Sequence, residues 1–294
     1  HQMAKYTSDR VIQNGALKLS GLKTLVLDAA DRMLDMGIEP AIQSIQKALP
    51  AKRQTLLFPA TFPEQVKALS KTYQNAPKEI LLDTDTRSEH IEQLFFEVAH
   101  TRKNDALLQL LGQLQPEQAL VFCNTRHGTV DLAAQLNERG VSALALHGEL
   151  DQREREETLV QFANRSIQVL VATDVAARGL DIEDLPAVVS YELASDPDAH
   201  RHRIGRTGRA GKTGLALALV STRELPRARA IEEAHGTPIA WRKPVPRREG
   251  GRGMAPAPMV TLAIDGGRKD KMRAGDILGA LTGTAGLDAS AVGK

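Results

Sequence analysis

The sequence predicts an α/β protein built on parallel sheets, because short apolar runs alternate with amphipathic helical stretches along most of its length. Seven runs have the length and composition of buried strands, at residues 22–28, 54–58, 118–124, 142–147, 167–174, 187–193 and 215–220. Helical periodicity marks the intervening segments 101–114, 127–139 and 151–163. Strands separated by helices of this length form βαβ units, which align their strands in parallel.

Several predicted strands end in a polar residue, namely Asp28, Asn124, His147 and Asp174. The carboxyl ends of parallel strands line the crevice in which open α/β sheets bind ligands. We therefore expect the chemistry of the protein to lie at these strand ends.

Length and composition narrow the class of protein. The 294 residues predict about two domains. The single cysteine, Cys123, excludes a disulfide framework and favours a reducing compartment. No apolar stretch reaches the roughly 18–20 residues of a membrane span, and the first residues lack the apolar core of a signal peptide. We expect a cytoplasmic protein with no membrane partner.

Positive charge is concentrated in one part of the chain. Residues 201–254 carry thirteen Lys and Arg against four Asp and Glu, a local charge of +9, whereas the whole chain carries +2. A basic segment on a nearly neutral protein favours a nucleic acid or nucleotide partner. A disordered basic linker is the alternative, and part of the segment has that composition.

The densest part of this basic segment is HRIGRTGR, at residues 202–209. Arg203, Arg206 and Arg209 recur every three residues, so on a helical turn they project from neighbouring positions. A planar guanidinium fits phosphate oxygens two at a time, which favours a phosphate ligand. For an isolated string of this kind, a solvated basic helix end is the alternative.

Six motifs follow one another along the chain: LVLDAAD (25–31), LLFPATFP (56–63), ALVFCNTR (119–126), LHGELDQRERE (146–156), VATDVAARGLDI (171–182) and HRIGRTGRAG (202–211). Their joint occurrence resembles the DEAD-box RNA helicases over residues 7–240. The resemblance implies two RecA-like parallel-sheet helicase domains, the first partial and the second complete. It also implies ATP, Mg²⁺ and single-stranded RNA in the cleft between them.

The resemblance assigns the ATP chemistry to four residues. Asp28 falls on the aspartate that holds Mg²⁺ through water, and Asp31 falls on the last residue of the DEAD tetrad. Arg206 and Arg209 fall on the arginine fingers for the γ-phosphate. These roles are physically reasonable, because phosphoryl transfer needs charge neutralisation and positioning more than covalent chemistry.

Further positions fall on nucleotide and RNA contacts. Asp181 in ARGLD matches the residue that contacts the ribose of ATP, and Gly179 belongs to the same stretch. The positions expected near the RNA backbone or in the coupling network are Thr125, Arg126, His147, Gly148, Gln152, Arg155 and Thr173. Taken singly, these residues have structural alternatives, such as an N-cap for Thr125 or a turn for Asp181. Their order along the chain favours the functional interpretation.

The chain departs from the family pattern at five points. It holds no phosphate-binding loop, which the family carries before the first residue of this sequence, and it stops within the C-terminal module. Ala29 replaces the glutamate that positions the attacking water, a loss of about 10²–10⁴-fold in rate. Pro59 replaces the serine of Ser-Ala-Thr, and TSDR (7–10) stands where Thr-Pro-Gly-Arg is expected, so that Asp9 would bring a negative charge toward an RNA phosphate. We expect this chain alone to lack ATPase activity and residues 1–84 to expose apolar strand edges.

The predicted domains are residues 1–84, the C-terminal part of a first RecA-like domain; 85–242, a second RecA-like domain; 243–258, a linker; and 259–294, a truncated RRM-like α+β domain. A polar stretch at 75–92 is the expected connector between the first two. The last segment is predicted as a strand, a basic turn and a helix. It resembles the RNA-binding domain of DbpA-type bacterial helicases, which implies large-subunit ribosomal RNA as the partner of a monomer.

Three hypotheses stay open from the sequence. The chain is a fragment or variant of an ATP-dependent RNA helicase, a catalytically silent RNA-binding or interaction module, or a degenerate gene product. The second hypothesis rests on the second domain and the basic segment. The third rests on the departures at Asp9, Ala29 and Pro59, all in one half of the chain.

Overall fold

The chain divides into two compact units, His1–Leu82 and Asp83–Lys294. The computed structural model describes residues 19–28, 30, 39–59, 62, 64–80, 91–177, 182, 184–208, 213–236, 238–243 and 254–293. The predicted domain boundary at residue 84 lies outside these ranges and stays a prediction. Among the described residues, no helix is long and apolar enough to cross a membrane.

The first unit contains a two-stranded parallel sheet and two helices. Its elements are β1 (Thr24–Asp28), α1 (Glu39–Lys47), β2 (Gln54–Phe58) and α2 (Glu64–Tyr73). Leu27, Ile42 and Leu69 form the core of this unit. Val26 and Phe58 are 52% and 55% exposed, so the short sheet leaves apolar side chains uncovered.

The second unit is built on a seven-stranded sheet in which all the described pairings are parallel. In chain order its strands are β3 (Ile91–Glu97), β4 (Ala119–Phe122), β5 (Ala143–Leu146), β6 (Val169–Ala172), β7 (Ala187–Ser190), β8 (Gly214–Val220) and β9 (Trp241–Arg242). Their order across the sheet is β5-β6-β4-β7-β8-β3-β9. Strand β4 thus lies near the middle of the sheet, β5 lies at one edge, and β3, the first strand of the unit in the chain, lies next to β9 at the other edge.

The helices of the second unit follow the strands in the expected alternation. They are α3 (Lys103–Leu114), α4 (Arg126–Glu138), α5 (Gln152–Ala163), α6 (Asp174–Ala177), α7 (Pro197–Ile204), α8 (Leu225–His235) and α9 (Ala274–Gly279). Several of these helices are capped at the N-terminus by a side-chain oxygen. Asp151 accepts from the amide of Glu154 and Glu154 from that of Asp151, a reciprocal capping box for α5.

Alternate residues of the central strands feed two apolar clusters on opposite faces of the sheet. Val121 and Val171 pack in one cluster with leucines of α3 and α4. Leu120 and Leu170 pack in the other, with Phe162 of α5. Burial on both faces explains why these strands read as continuous apolar runs rather than as an alternating pattern.

The structure confirms the predicted class and all seven predicted strands, most of them shorter than the apolar runs. It adds β3, which begins at the end of the predicted connector, and the two-residue β9. The strand predicted at the start of segment 259–294 is not formed: residues 259–264 pair with no strand in the described chain. An extended segment becomes a strand only when a partner takes up its backbone hydrogen bonds.

An aromatic and imidazole cluster closes the β3 side of the sheet. The ring of His200 lies 5.7 Å from that of Phe95 and 5.6 Å from that of His235. Its Nε2 lies 3.0 Å from Oε1 of Gln93, whereas its buried Nδ1 has no hydrogen-bond partner among the residues described. Burial, together with the neighbouring charges of His235 and Arg203, lowers the pKa of His200 to about 3.

These values predict a loss of stability in mild acid. His200 stays neutral in the folded unit, whereas the unfolded chain takes up a proton near pH 6.5. Between about pH 6.5 and pH 3 the unfolded state therefore binds more protons, and the free energy of unfolding falls as pH falls, by up to about 1.4 kcal/mol per pH unit for one proton. Burial also lowers the pKa of His235, which faces Arg201 and Asp198, so it adds in the same direction.

Urea unfolding between pH 7.5 and pH 5.0 measures this slope. The variant His200→Gln should reduce the slope of the unfolding free energy against pH by the contribution of about one proton, because glutamine does not titrate. The exposed His100 is the matched control, and His100→Gln should keep the parent slope. Equal slopes for His200→Gln and the parent chain would contradict the assignment.

Candidate nucleotide and RNA site

The ends of four adjacent strands form one continuous polar edge in the second unit. The amide of Thr173 donates to the carbonyl of Leu146 over 3.2 Å, and that of Cys123 to Ala172 over 3.0 Å. The amide of Glu192 donates to the carbonyl of Phe122 over 3.2 Å. The residues that follow β5, β6, β4 and β7 therefore lie side by side, as the sequence predicts for the carboxyl ends of parallel strands.

Thr125 and Arg126 begin helix α4 at this edge. Thr125 is the N-cap, and its Oγ1 accepts from the amide of Gly128 over 3.1 Å. The structural alternative for Thr125 is therefore realised, and it leaves the hydroxyl at a helix N-terminus, where anions bind. The Arg126 guanidinium forms an ion pair with Glu149 while its side chain stays 41% exposed. An anion that reaches this edge competes with Glu149 for Arg126.

The segments after β5 and β6 meet at the same place. His147 is half-buried, and its Nδ1 is a buried atom without a hydrogen-bond partner in the described structure. A Cβ built on Gly148 meets no atom within 4 Å, so its backbone is open to a ligand. Arg155 donates over 2.8 Å to the carbonyl of Ala176 in α6, which ties helix α5 to the segment after Thr173.

Gln152 lies differently from the other predicted RNA contacts. It opens helix α5, and its Nε2 donates to Glu156 over 2.6 Å along the exposed surface of that helix. The structure thus gathers Thr125, His147, Gly148 and Thr173 at the strand ends and places Gln152 on the neighbouring helix.

Arg203 is the best-connected side chain at this edge and is only 1% exposed. Nε and one terminal nitrogen donate to the two carboxylate oxygens of Asp174 over 2.7 and 2.8 Å. The same terminal nitrogen donates to Asn124 Oδ1 over 2.7 Å. The other donates to the carbonyl of Glu192 over 2.6 Å and to Ser190 Oγ over 3.3 Å. All five guanidinium N–H groups therefore have an acceptor.

This geometry corrects the expectation that Arg203, Arg206 and Arg209 present three neighbouring charges to one ligand. Arg203 points into the unit, where Asp174 supplies the negative charge and the Phe122 ring lies 4.9 Å away. A buried arginine with a bidentate carboxylate is a structural ion pair. The carboxylate of Asp174, predicted only as a polar strand end, thus fixes this guanidinium.

Arg206 follows α7 in a tightly held turn. Its amide donates to the carbonyl of Arg203 over 3.2 Å, and its carbonyl accepts from the amide of Leu185 over 3.1 Å. Gly208 has φ +68°, and a Cβ on Gly214 would lie 2.3 Å from the Gly208 amide nitrogen, so both glycines are required by this turn. The turn fixes the backbone of Arg206 next to the buried Arg203 network.

A second buried ion pair was not predicted from the sequence. Lys103, fully buried, donates to Glu224 and to the carbonyl of Tyr191, each over 2.7 Å. Burial raises the pKa of Glu224, but hydrogen bonds from Lys103 and Ser221 outweigh it and hold the pKa below its usual value. The pair fixes the backbone of Tyr191, which directly precedes Glu192, and thereby supports the polar edge at the end of β7.

Cys123 separates the apolar strand β4 from Asn124. Burial, with the nearby Glu192 charge, raises the pKa of its thiol to about 12, so it stays protonated. Burial outweighs the opposing charges of Arg203 and Lys103, so the thiol is not activated as a nucleophile.

In the first unit, Asp28 ends β1 opposite Phe58 and is exposed. Mg²⁺ in phosphoryl-transfer sites is held by one or two carboxylates together with waters and substrate phosphates, and an exposed carboxylate at a strand end fits that donor set. Asp31, Gly179, Asp181 and Arg209 lie outside the described residues, as do Ala29 and Asp9. Among the described residues, no group of three or more His, Cys, Asp or Glu side chains forms a metal site by itself.

Family models match three parts of the chain. They are the DEAD/DEAH box helicase (residues 3–69), the helicase conserved C-terminal domain (102–211) and the DbpA RNA binding domain (261–294). Among solved structures, S. cerevisiae Dbp5 bound to RNA and ADP BeF3 matches with a TM-score of 0.74 and 30% identity, covering 81% of this chain and 64% of that one. The fold and these matches define a helicase built on RecA-like sheets.

The particular family follows from the relatives. E. coli ATP-dependent RNA helicase DbpA is 49% identical over 96% of this chain, which spans 62% of that protein. CshA of Geobacillus kaustophilus, a DEAD-box ATP-dependent RNA helicase, is 41% identical over 79% of this chain and 50% of its own length. E. coli SrmB, solved with RraA, is 32% identical with a TM-score of 0.50 over 57% of this chain and 96% of that one. The chain belongs to the DEAD-box RNA helicase family, and it spans about three fifths of its DbpA relative.

The buried network makes Arg203 a strong determinant of stability. Arg203→Met should lower the free energy of unfolding by about 3–5 kcal/mol, because the half-buried Asp174 carboxylate and the carbonyl of Glu192 lose their donor. Urea unfolding of the whole chain measures the change. Arg201→Ala is the matched control: Arg201 lies two residues earlier, 51% exposed in a surface pair with Asp198, and its loss should cost about 1 kcal/mol or less. Equal losses for the two variants would contradict the assigned role.

Proposed function

We propose that the second unit of this chain supplies the RNA-backbone grip and the arginine fingers of a DEAD-box ATP-dependent RNA helicase. The observation that carries the proposal is the row of adjacent strand ends, because Thr125, His147 and Thr173 all follow strands that end in this row. Backbone amides, hydroxyls and basic side chains at strand ends and helix N-termini bind phosphates without reading base sequence.

The RNA side of the site is chemically mixed. Arg126 and the Thr125 N-cap offer charge and a hydroxyl, whereas Gly148 offers an open backbone. Arg155 donates a hydrogen bond to the carbonyl of Ala176. We therefore assign Arg155 to positioning the segment after β6 as well as to binding RNA. A phosphate replaces Glu149 as the partner of Arg126, which makes binding an exchange of anions at one cation.

The ATP side is assigned residue by residue. We assign Arg206 and Arg209 to the γ-phosphate, with Gly179 and Asp181 at the nucleotide. Asp28 is the carboxylate for a water-bound Mg²⁺, with Asp31 beside the Ser-Ala-Thr segment. Mg²⁺ would neutralise charge on the phosphates. This chain holds the backbone of Arg206 by two hydrogen bonds, one to the carbonyl of Arg203 and one from the amide of Leu185.

We further propose that this polypeptide alone does not hydrolyse ATP, since it contains no phosphate-binding loop and carries Ala29 and Pro59 at two positions of the first domain. RNA-stimulated ATP turnover by the purified 294-residue chain should equal the rate without protein. Turnover that depends on RNA and disappears in Arg206→Ala would contradict this proposal.

The natural RNA is proposed to be large-subunit ribosomal RNA, recognised through residues 261–294, which match the DbpA RNA binding domain. The chain is proposed to act as a monomer. A catalytically silent RNA-binding module is the second candidate, favoured by the formed polar edge of the second unit together with the Ala29 and Pro59 replacements. The same chain joined to a phosphate-binding loop separates the two candidates, because only a helicase would gain turnover.

RNA binding by the second unit should depend steeply on salt. The variant Arg126→Ala should weaken binding of single-stranded RNA and lower the slope of log K against log salt by about 0.7, the value for one phosphate contact on a single strand. Fluorescence anisotropy with a labelled oligoribonucleotide across a salt series measures both quantities.

Arg153→Ala is the matched control, since Arg153 also pairs with a glutamate and is 86% exposed, but lies on the outer surface of α5. It should keep the parent slope. Glu149→Gln should tighten binding, because it removes the competing anion from Arg126. If Arg126→Ala keeps the slope of log K against log salt of the parent chain, this arginine is ruled out as a phosphate contact.

A further inference from the structure

Residues 254–261 lie along the amino-terminal edge of the sheet, although the sequence predicts a linker as far as residue 258. They contact the chain at three places: Gln115 at the end of α3, Gln168 just before β6, and the turn that ends α5. These places lie at the opposite edge of the sheet from the strand ends assigned to RNA. Four-residue strands separate the two edges by roughly 13 Å.

Two glutamine side chains hold the backbone of Ala255 from both sides. Its amide donates to Oε1 of Gln115 over 2.9 Å, and its carbonyl accepts from Nε2 of Gln168. The Gln115 side chain is itself oriented, because its Nε2 donates to the carbonyl of Gly112 over 2.7 Å. Gln168 is buried and directly precedes strand β6. Ala255 is thus bound as a strand residue would be, with side-chain amides in place of a neighbouring backbone.

Side chains fix the register of this segment at both of its ends. Met254 is 8% exposed and packs in the main apolar cluster of the second unit. At the other end, Thr261 accepts from Asn164 Nδ2 over 2.8 Å and donates to Ser166 Oγ over 2.7 Å. Between them the side chains of Ala257 and Met259 are half-buried, whereas Val260 is 80% exposed.

We propose that Met254–Thr261 is a strap that belongs structurally to the helicase C-terminal domain, with the Gln115–Gln168 pair as its docking site. The match to the RNA-binding family begins at Thr261, where the strap ends. The strap therefore sets the point from which the RNA-binding segment leaves the seven-stranded sheet, and it places that point at the edge opposite the strand ends assigned to RNA.

Hydrogen exchange of the whole chain, followed by mass spectrometry, tests the docking. Peptides that contain Ala255 should exchange at least tenfold more slowly than the same sequence as a free peptide. Gln115→Ala should remove this protection while peptides from β6 keep theirs. The control is Gln113→Ala, which removes an exposed glutamine from the last turn of helix α3, two residues before Gln115. Exchange at the free-peptide rate in the parent chain, or full protection in Gln115→Ala, would overturn the proposal.

Thermal unfolding tests the strap independently of its hydrogen bonds. Met254→Ala should lower the melting temperature of the second unit by roughly 4–10 °C, as expected for a truncated core methionine. The control Val260→Ala removes an exposed apolar side chain of the same segment and should shift it by about 1 °C or less. Equal shifts in the two variants would show that Met254 is not part of the core and would overturn the proposal.

Discussion

The fold of the polar edge depends on one guanidinium, that of Arg203. Its five donors reach the chain after β4, the first residue of α6 and the end of β7. Neither Asp174 nor Asn124 would be held in place by apolar packing, because both lie where the strands give way to loops. A planar cation with fixed donor directions orders all these segments at once, which a flexible lysine would not do.

The position of Arg203 also shows that the basic motif at residues 202–209 contains a buried structural cation as well as an arginine in the turn that follows. Arg203 faces inward from the last turn of α7, and Arg206 lies in the turn that follows, where its backbone bonds to Arg203 and Leu185. Arg201 forms a surface pair with Asp198. The local charge of +9 counted from the sequence is therefore partly neutralised inside the unit, and the charge offered to an anionic ligand comes from fewer side chains than the count indicates.

The sequence predicts the parts of the fold that depend on periodicity and fails where tertiary context decides. The central strands were found because they are buried on both faces and read as apolar runs. Strand β3 was missed because IEQLFFE mixes polar and apolar residues beside a polar stretch, and β9 because it has only two residues. The inward direction of Arg203 and the buried Lys103–Glu224 pair carry no local signal, since a buried charge is recognised only by its partner, 29 and 121 residues away in sequence.

The two edges of the central sheet have different chemistry for the same physical reason. At the carboxyl edge, strand ends and helix N-termini leave amides and hydroxyls facing outward, which suits phosphates. At the amino edge, the helices end, and their last carbonyls and turns suit amide donors such as the side chain of Gln115 at its left-handed position, φ 45°. An extended segment with an exposed proline on each side of Ala257 binds there without a strand partner, because two glutamine side chains take up the backbone hydrogen bonds of Ala255. A linker composition is therefore compatible with a fixed position whenever the surface beside it supplies the missing hydrogen bonds.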